Sequence, residues 1–176
     1  TLAAEEDAPG RVPFGTNRVG PVIYTVGSDE QKAKYLPAIR ESTVCGGRGY
    51  SEPGSGSDLA SLRTKAEKDG DNYIVNGSKT WNTMGHWADW IFCLVRTDSS
   101  GKPQEGISFL LIDMTTPGIT VKPIIMTDDG HEVNEDFFDN VKGPAENMNG
   151  KEGEAWTDAK SVRANERRGT AAAPPS

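Results

Sequence analysis

Two short stretches carry residue types able to hold a flat, phosphate-bearing ligand. The first, GYSEPGSGSDLASL from Gly49 to Leu62, concentrates glycine, proline and serine. Gly49, Gly54 and Gly56 let the backbone take positive φ and come close to a ligand, Pro53 fixes one bend, and Ser51, Ser55 and Ser57 offer hydroxyls. Amide donors in such a loop form a nest for anionic oxygen, although a flexible Gly/Ser surface turn has the same composition. The loop is expected to run into a polar, alternating strand. The second stretch is KTWNTM, Lys79 to Met84. On a strand, Trp81 and Thr83 share one face and Asn82 points the other way. A lone tryptophan is more often a core residue, but this one is paired with Thr83 and preceded by Gly77-Ser78-Lys79. An indole and a hydroxyl beside an amide-rich loop suit a planar heteroaromatic ring carrying phosphate, which is the shape of a flavin.

The elements that must position these residues follow from the change of period along the chain. Val19, Val22, Ile23 and Val26 have helical spacing within Thr16 to Val26, with Pro21 tolerable only in a first turn. Ser28 then opens a second helix with a hydroxyl cap and Gln31 at the capping-box position; Ala33, Leu36 and Ile39 form its expected buried stripe, and Pro37 its expected end or bend. After Ser42 the period becomes two. TVCGGRGY, LRTKAE, NYIVNGSKTWNTM, DWIFCLVRT, GISFLLID, ITVKPIIM and EVNEDFFDNV are short, β-branched or aromatic segments. Asp69-Gly70-Asp71-Asn72 and Asn76-Gly77 supply hairpin chemistry, and Asp98 to Gly106 a longer turn. Seven such segments predict an antiparallel β-barrel or sandwich, so the fold class is mainly β with flanking helices. Helical character returns from Gly153 through Ala155, Trp156, Ala159, Val162 and Arg163 to about Arg168, whereas residues 1–15 read as an aperiodic lead-in.

Composition sets the outer limits. The 176 residues suffice for one domain with a core plus a few helices. A net charge of -7 with no basic stripe argues against a nucleic-acid partner. Cys45 and Cys93 lie in separate apolar segments without CxxC spacing and read as buried free thiols rather than a disulfide or zinc site. No apolar run is long enough to span a bilayer and no signal pattern is visible, so the expected localisation is cytoplasmic. Three tempting motifs fail. GSKT, Gly77 to Thr80, lacks the glycine spacing of a phosphate loop, and HEVNE, His131 to Glu135, has glutamate where a zinc protease needs its second histidine. GSGSD has no following helix signal and its strand reads as antiparallel, which disfavours a dinucleotide fold. His131 and Glu132 read as turn residues, and Asp128, Asp129, Glu132, Glu135 and Asp136 as a solvated acidic edge.

GYSEPGSGSD followed by NGSKTWNT resembles the flavin-contacting core of the acyl-CoA dehydrogenase family, and DWIFCLVRT, GISFLLID, PGITVKPI and HEVNEDFFDNVKGPAEN continue the pattern in order. The likeness runs from about Gly15 to Lys160. It implies three regions: residues 1–42 as the end of a helical N-terminal domain, 43–150 as a β-barrel that binds flavin and acyl-CoA, and 151–176 as the start of a helical C-terminal domain. It implies FAD as cofactor, held by Gly49, Tyr50, Ser51, Gly56, Ser57, Trp81, Asn82 and Thr83. In that correspondence Ser51 donates to the pyrimidine side of the ring, Tyr50 contributes its backbone, and Ser57 lies near the pyrophosphate and the acyl-CoA substrate. Trp81 packs on the ring face away from substrate, and Thr83 bonds near N5. Hydroxyls at the pyrimidine end favour the reduced ring and raise its potential. Arg48 departs from the family's usual uncharged residue, either adding a cation there or reaching solvent. The implied reaction is α,β-dehydrogenation of an acyl-CoA thioester to a trans-2-enoyl-CoA, with an electron-transfer flavoprotein as acceptor and a homo- or hetero-oligomeric assembly. The family's glutamate base belongs to a C-terminal helix outside this sequence, so no catalytic residue and no metal ligand is assigned. Glu166 and Arg167 match a Glu-Arg pair of structural or subunit-contact role, and Pro174 and Pro175 depart from the continuous helix expected there. Two other readings stay open, a non-catalytic subunit or FAD-free binding module of a heteromeric dehydrogenase, and a flavin oxidase or monooxygenase on the same scaffold.

Overall fold

A computed structural model describes residues 19–41, 43–157 and 159–160 of the chain. The expectations for residues 1–18 and 161–176, including Val162, Arg163, Glu166, Arg167, Pro174 and Pro175, lie outside the described residues. Helix α1 is Gly20–Val26 with proline in its first turn, and it buries Val22 and Ile23. Helix α2 is Asp29–Glu41. The capping box at its start forms as the sequence predicts. Ser28 Oγ accepts from the Gln31 amide at 3.2 Å, and the Ser28 amide donates to Gln31 Oε1 at 3.1 Å. Two expectations for α2 need correction. Its buried line is Gln31, Tyr35 and Ile39, spaced four apart, while Ala33 is exposed and Leu36 half-buried. Pro37 neither ends nor interrupts the helix, because it sits on the exposed side, where water can satisfy the carbonyl that lost its partner.

Eight strands form one sheet: β1 Gly46–Gly49, β2 Lys65–Asp69, β3 Asn72–Thr83, β4 Trp90–Arg96, β5 Ile107–Asp113, β6 Ile119–Ile124, β7 Val133–Pro144 and β8 Met148–Asn149. The hydrogen-bonded order is β6-β7-β3-β2-β4-β5-β8, with β1 paired to β4. All seven expected strands are present, and β8 adds a two-residue pairing to β5 too short to show in a periodicity. Among the described residues β6 and β8 end the path without pairing to each other, so the sheet is sandwich-like rather than a closed barrel. Most pairs are antiparallel, but β1 runs parallel to β4 from Gly46↔Trp90 to Gly49↔Cys93, and β2 meets β4 in parallel at Lys65↔Arg96. The expected antiparallel setting of the segment entering the glycine-serine loop is therefore corrected.

Alternation along β4 and β5 divides the core. Phe92, Leu94, Ile107, Phe109 and Leu111 face α1, α2, Tyr50 and the Leu59–Leu62 turn. Ile91, Cys93, Val95, Leu110 and Ile112 face Tyr73 and Val75 of β3 and Phe138 and Val141 of β7. These two central strands are buried on both sides, which is why they read as unbroken apolar runs. Gln31 ties α2 to the far end of the sheet: its Nε2 donates to the carbonyls of Glu146 and Met148 at 2.7 and 2.8 Å. Residues 155–157 and 159–160 are helical and pack Ala155 and Ala159 into the same cluster.

Gly70, at φ +59, makes the tight β2–β3 turn. Asn76-Gly77 makes no hairpin. It lies inside β3, opposite an extra residue in β7 where Asn140 takes φ +51, and Asn76 Oδ1 accepts from the Asn140 amide at 2.9 Å. No described helix is long and apolar enough to cross a membrane.

Candidate functional site

The glycine-serine loop is fastened to β3 at the residue before Trp81. The Thr80 amide donates to the Ser51 carbonyl at 2.9 Å, which sets the loop beside the indole. The loop turns at Pro53-Gly54, with Glu52 and Ser55 exchanging backbone hydrogen bonds. In place of the expected alternating strand, Leu59–Ser61 forms a 3-10 turn that buries Leu59 and Ala60, and Leu59 and the following Leu62 plug the helix-side core. Arg96 pins this turn by donating to the carbonyls of Ala60 and Leu62.

Beneath the loop lies an ion pair that the sequence reading missed. Lys79 is fully buried, and its Nζ is 2.8 Å from Glu52 Oε1 and 3.3 Å from the Tyr50 carbonyl. Glu52 also accepts from the amides of Arg63 and Thr64, at 2.7 and 2.9 Å. Burial pushes the Glu52 carboxyl up, but Lys79 and the amide donors outweigh it and hold it below the usual carboxylate range. Both ends of the loop are thereby tied to one lysine of β3.

β3 carries an extra residue between Lys79↔Asp136 and Asn82↔Asn134. At this bulge Trp81 takes φ +62, a left-handed conformation that costs an ordinary side chain on the order of 1–2 kcal/mol, and its ring is 60% exposed. Bulges re-aim side chains next to binding sites. Thr83, two residues on, is half-buried, while Asn82 between them is fully buried. The Asn82 carboxamide is committed: Oδ1 accepts from the Arg48 amide at 2.9 Å, and Nδ2 donates to Asp136 Oδ2 at 2.7 Å. Any part Asn82 plays toward a ligand falls to its backbone.

The remaining candidates separate by exposure. Gly56 and Ser57 are exposed, and a Cβ built at Gly54 or Gly56 would meet nothing within 4 Å, so the outer loop is open to approach. Ser51 is half-buried. Ser55 is withdrawn, its hydroxyl donating to the Asp58 carbonyl at 2.8 Å, which removes it from the hydroxyls expected to face a ligand. Gly49 is small for interior packing, since a Cβ there would sit 3.0 Å from Cys93 Sγ. The Tyr50 ring is buried edge-on against Phe92 and Phe109, with centroids 5.9 and 6.3 Å away. The Arg48 guanidinium lies 5.0 Å from the centre of that ring.

The acidic edge also needs correction. Asp128, Asp129 and Glu132 are exposed and Glu135 is half-buried, but Asp136 is fully buried, on the β7 face that also buries Asn134 and Phe138. Its Oδ1 has no hydrogen-bond partner among the described residues. Burial, against the opposing hydrogen bond from Asn82, pushes its carboxyl from 3.8 up to about 6. Below about pH 4 the group is protonated in folded and unfolded chains alike. Between about pH 4 and 6 only the unfolded chain releases its proton, so stability falls by roughly 3 kcal/mol as pH rises through that window. Asp136→Asn keeps an acceptor for Asn82 and does not titrate. Urea unfolding at several pH values should therefore show the variant gaining on the wild type between about pH 4 and 6; parallel curves would place the charge elsewhere. Burial similarly raises the Cys93 thiol to about 12, and Cys45, half-buried, is raised by burial and by Asp89. Both cysteines are free.

Residues 47–141, spanning β1 through most of β7, match the family described as acyl-CoA dehydrogenase, middle domain. The chain belongs to the acyl-CoA dehydrogenase family. Over 154 residues it is 40% identical to acyl-CoA dehydrogenase IpdE1 of Mycobacterium tuberculosis, a match covering 87% of this chain and 40% of that protein. Among solved structures it is similar to the Tcur3481-Tcur3483 steroid ACAD, with TM-score 0.85 and 34% identity over 89% of this chain and 41% of that one. It is also similar to the ChsE4-ChsE5 complex of Mycobacterium tuberculosis, with TM-score 0.81 and 37% identity over 90% of this chain and 40% of that one. The chain thus spans about 40% of the length of these acyl-CoA dehydrogenases. No described group of three or more His, Cys, Asp or Glu side chains is placed to hold a metal.

Proposed function

We propose that this chain holds FAD along the Trp81–Thr83 edge of β3 and serves the α,β-dehydrogenation of an acyl-CoA thioester to the trans-2-enoyl-CoA. One observation carries the reading. The β3 bulge holds an exposed indole in a left-handed conformation directly beside the residue whose amide anchors the glycine-serine loop. Strain of this kind persists where surrounding structure imposes it, and it marks ligand-facing positions. An exposed apolar ring, near the half-buried Thr83 and Ser51, fits a planar heteroaromatic group. When bound, FAD supplies the acceptor for the hydride lost from the β-carbon. The chain's own part is to stack Trp81 on one ring face, present Thr83 and Ser51 as donors at the ring edge, and offer the open Gly56-Ser57 segment to phosphate and to the substrate's CoA portion. The general base for the α-proton is assigned to no residue of this chain. An electron-transfer flavoprotein is the proposed acceptor from the reduced ring.

Titration of the 176-residue chain with FAD tests this. The wild type should turn yellow and show a bound-flavin spectrum, and Trp81→Ala should weaken binding about tenfold or more. Because the ring is exposed, the same change should alter stability by no more than about 0.5 kcal/mol apart from relief of the backbone strain. A chain that stays colourless with excess FAD overturns the proposal. That result supports a non-catalytic subunit that keeps the sheet for assembly, a reading favoured by the likeness to a chain of the ChsE4-ChsE5 complex. If flavin binds and acyl-CoA is oxidised with oxygen consumption rather than transfer to an artificial acceptor, the scaffold serves an oxidase instead.

A further inference from the structure

The two histidines of the chain, 45 positions apart, meet behind the strand that carries Trp81 and Thr83. Their rings stack with centroids 4.2 Å apart and planes 28° from parallel. Between them and β3 lies Asn134, fully buried on β7. Its Nδ2 donates to the Asn82 carbonyl at 3.1 Å and lies 3.1 Å from His86 Nδ1, while its Oδ1 lies 2.8 Å from His131 Nε2. The Asn82 carbonyl can only accept, so it fixes which end of the Asn134 amide faces β3. The rest follows by exclusion. Oδ1 must take a proton from His131 Nε2, and the second N–H of Nδ2 must point at a lone pair on His86 Nδ1. Three of the four hydrogen-bonding positions of the carboxamide are then used, both N–H groups among them, and one of these is spent on the peptide that joins Asn82 to Thr83.

We propose that Asn134 is a positioning residue for the Trp81–Thr83 edge, held in its productive orientation by the stacked His86 and His131 rings. A bulged strand lacks regular ladder bonds where the extra residue sits. The Asn134 contact supplies a side-chain tie where the ladder resumes, one residue beyond Trp81. The backbone bond from Met84 to the Glu132 carbonyl, 2.7 Å, closes the same segment from its other end.

This inference rests on Trp81 and Thr83 facing the flavin, and its test is kept separate from flavin binding. In the ligand-free full chain, nitrogen-proton NMR spectra report the Thr83 amide, whose peptide carries the Asn82 carbonyl, and the Trp81 indole. Asn134→Ala and His86→Leu should move both signals and leave those of the Gln31 carboxamide in place. His86→Asn, which offers an oxygen where Nδ1 stood, should restore them. With FAD present, Asn134→Ala should lose about tenfold in affinity. Unmoved Thr83 and Trp81 signals in folded Asn134→Ala and His86→Leu overturn the inference even where FAD binds. Moved signals in a chain that never binds FAD uphold the positioning and overturn only the flavin reading. Should Asn134→Ala fail to fold, the half-buried His86→Leu decides.

Discussion

Lys79→Met is expected to destabilise the chain by about 3–5 kcal/mol, because it leaves Glu52 as a buried carboxylate without its cation. Methionine fills most of the volume of the lysine stem, so loss of packing is the smaller part. The Arg63 and Thr64 amides would still donate to Glu52, but they cannot neutralise it. Two controls separate charge from shape. Glu52→Gln combined with Lys79→Met should recover part of the loss, since it removes the unpaired buried charge while the amide oxygen still accepts from one of the two backbone donors. The deficit of the single variant should also shrink on acidification. In the wild type the Glu52 carboxyl sits below its ordinary range, so the stability it contributes is present above that range and is lost as pH falls. Urea unfolding at neutral and acid pH reads both effects. A double variant as unstable as the single one would show that the lysine acts through its stem.

Gly77→Ala should cost on the order of 3 kcal/mol, a fall in Tm of roughly 10 °C. A Cβ at this position would lie 2.6 Å from Thr64 Oγ1 and 2.7 Å from Thr64 Cα, with φ at +146. Thr64 cannot move freely, because its amide is bonded to Glu52 and its hydroxyl donates to the Ser78 carbonyl at 3.2 Å. The strain should therefore spread into the loop that ends at Thr64 and weaken FAD binding along with stability. Gly54→Ala is the contrast: nothing lies within 4 Å of its Cβ, so a change of no more than about 0.5 kcal/mol is expected. Equal effects from the two substitutions would show that glycine at 77 is not needed for the close approach of Thr64.

These two residues also show what could be read from the chain in advance. The seven strands, the two leading helices and the Ser28–Gln31 box depend on local period and local hydrogen bonds, and both are written in neighbouring residues. The exposure of Trp81 beside a buried Asn82 agrees with the alternation expected of that strand. Lys79 was passed over because its partner lies 27 positions away in a loop, and nothing in GSKT distinguishes a buried lysine from a solvated one. Asp136 sits within a run of acids, and only the β7 register shows that it alone turns fully inward. Asn76-Gly77 has the composition of a hairpin, yet the long pairing of β3 with β7 overrides it and places both residues within the strand.

The order of the sheet has a consequence for how copies of the protein meet. β6 is an outermost strand, and its exposed residues include Lys122 and Pro123. A foreign strand laid against it would have to desolvate an ammonium group and pass a residue that has no amide hydrogen to share. The opposite border, β8, is two residues long and offers too short a rail for templated growth. Among the described residues both ends of the strand path are thereby blunted against fibre-like stacking.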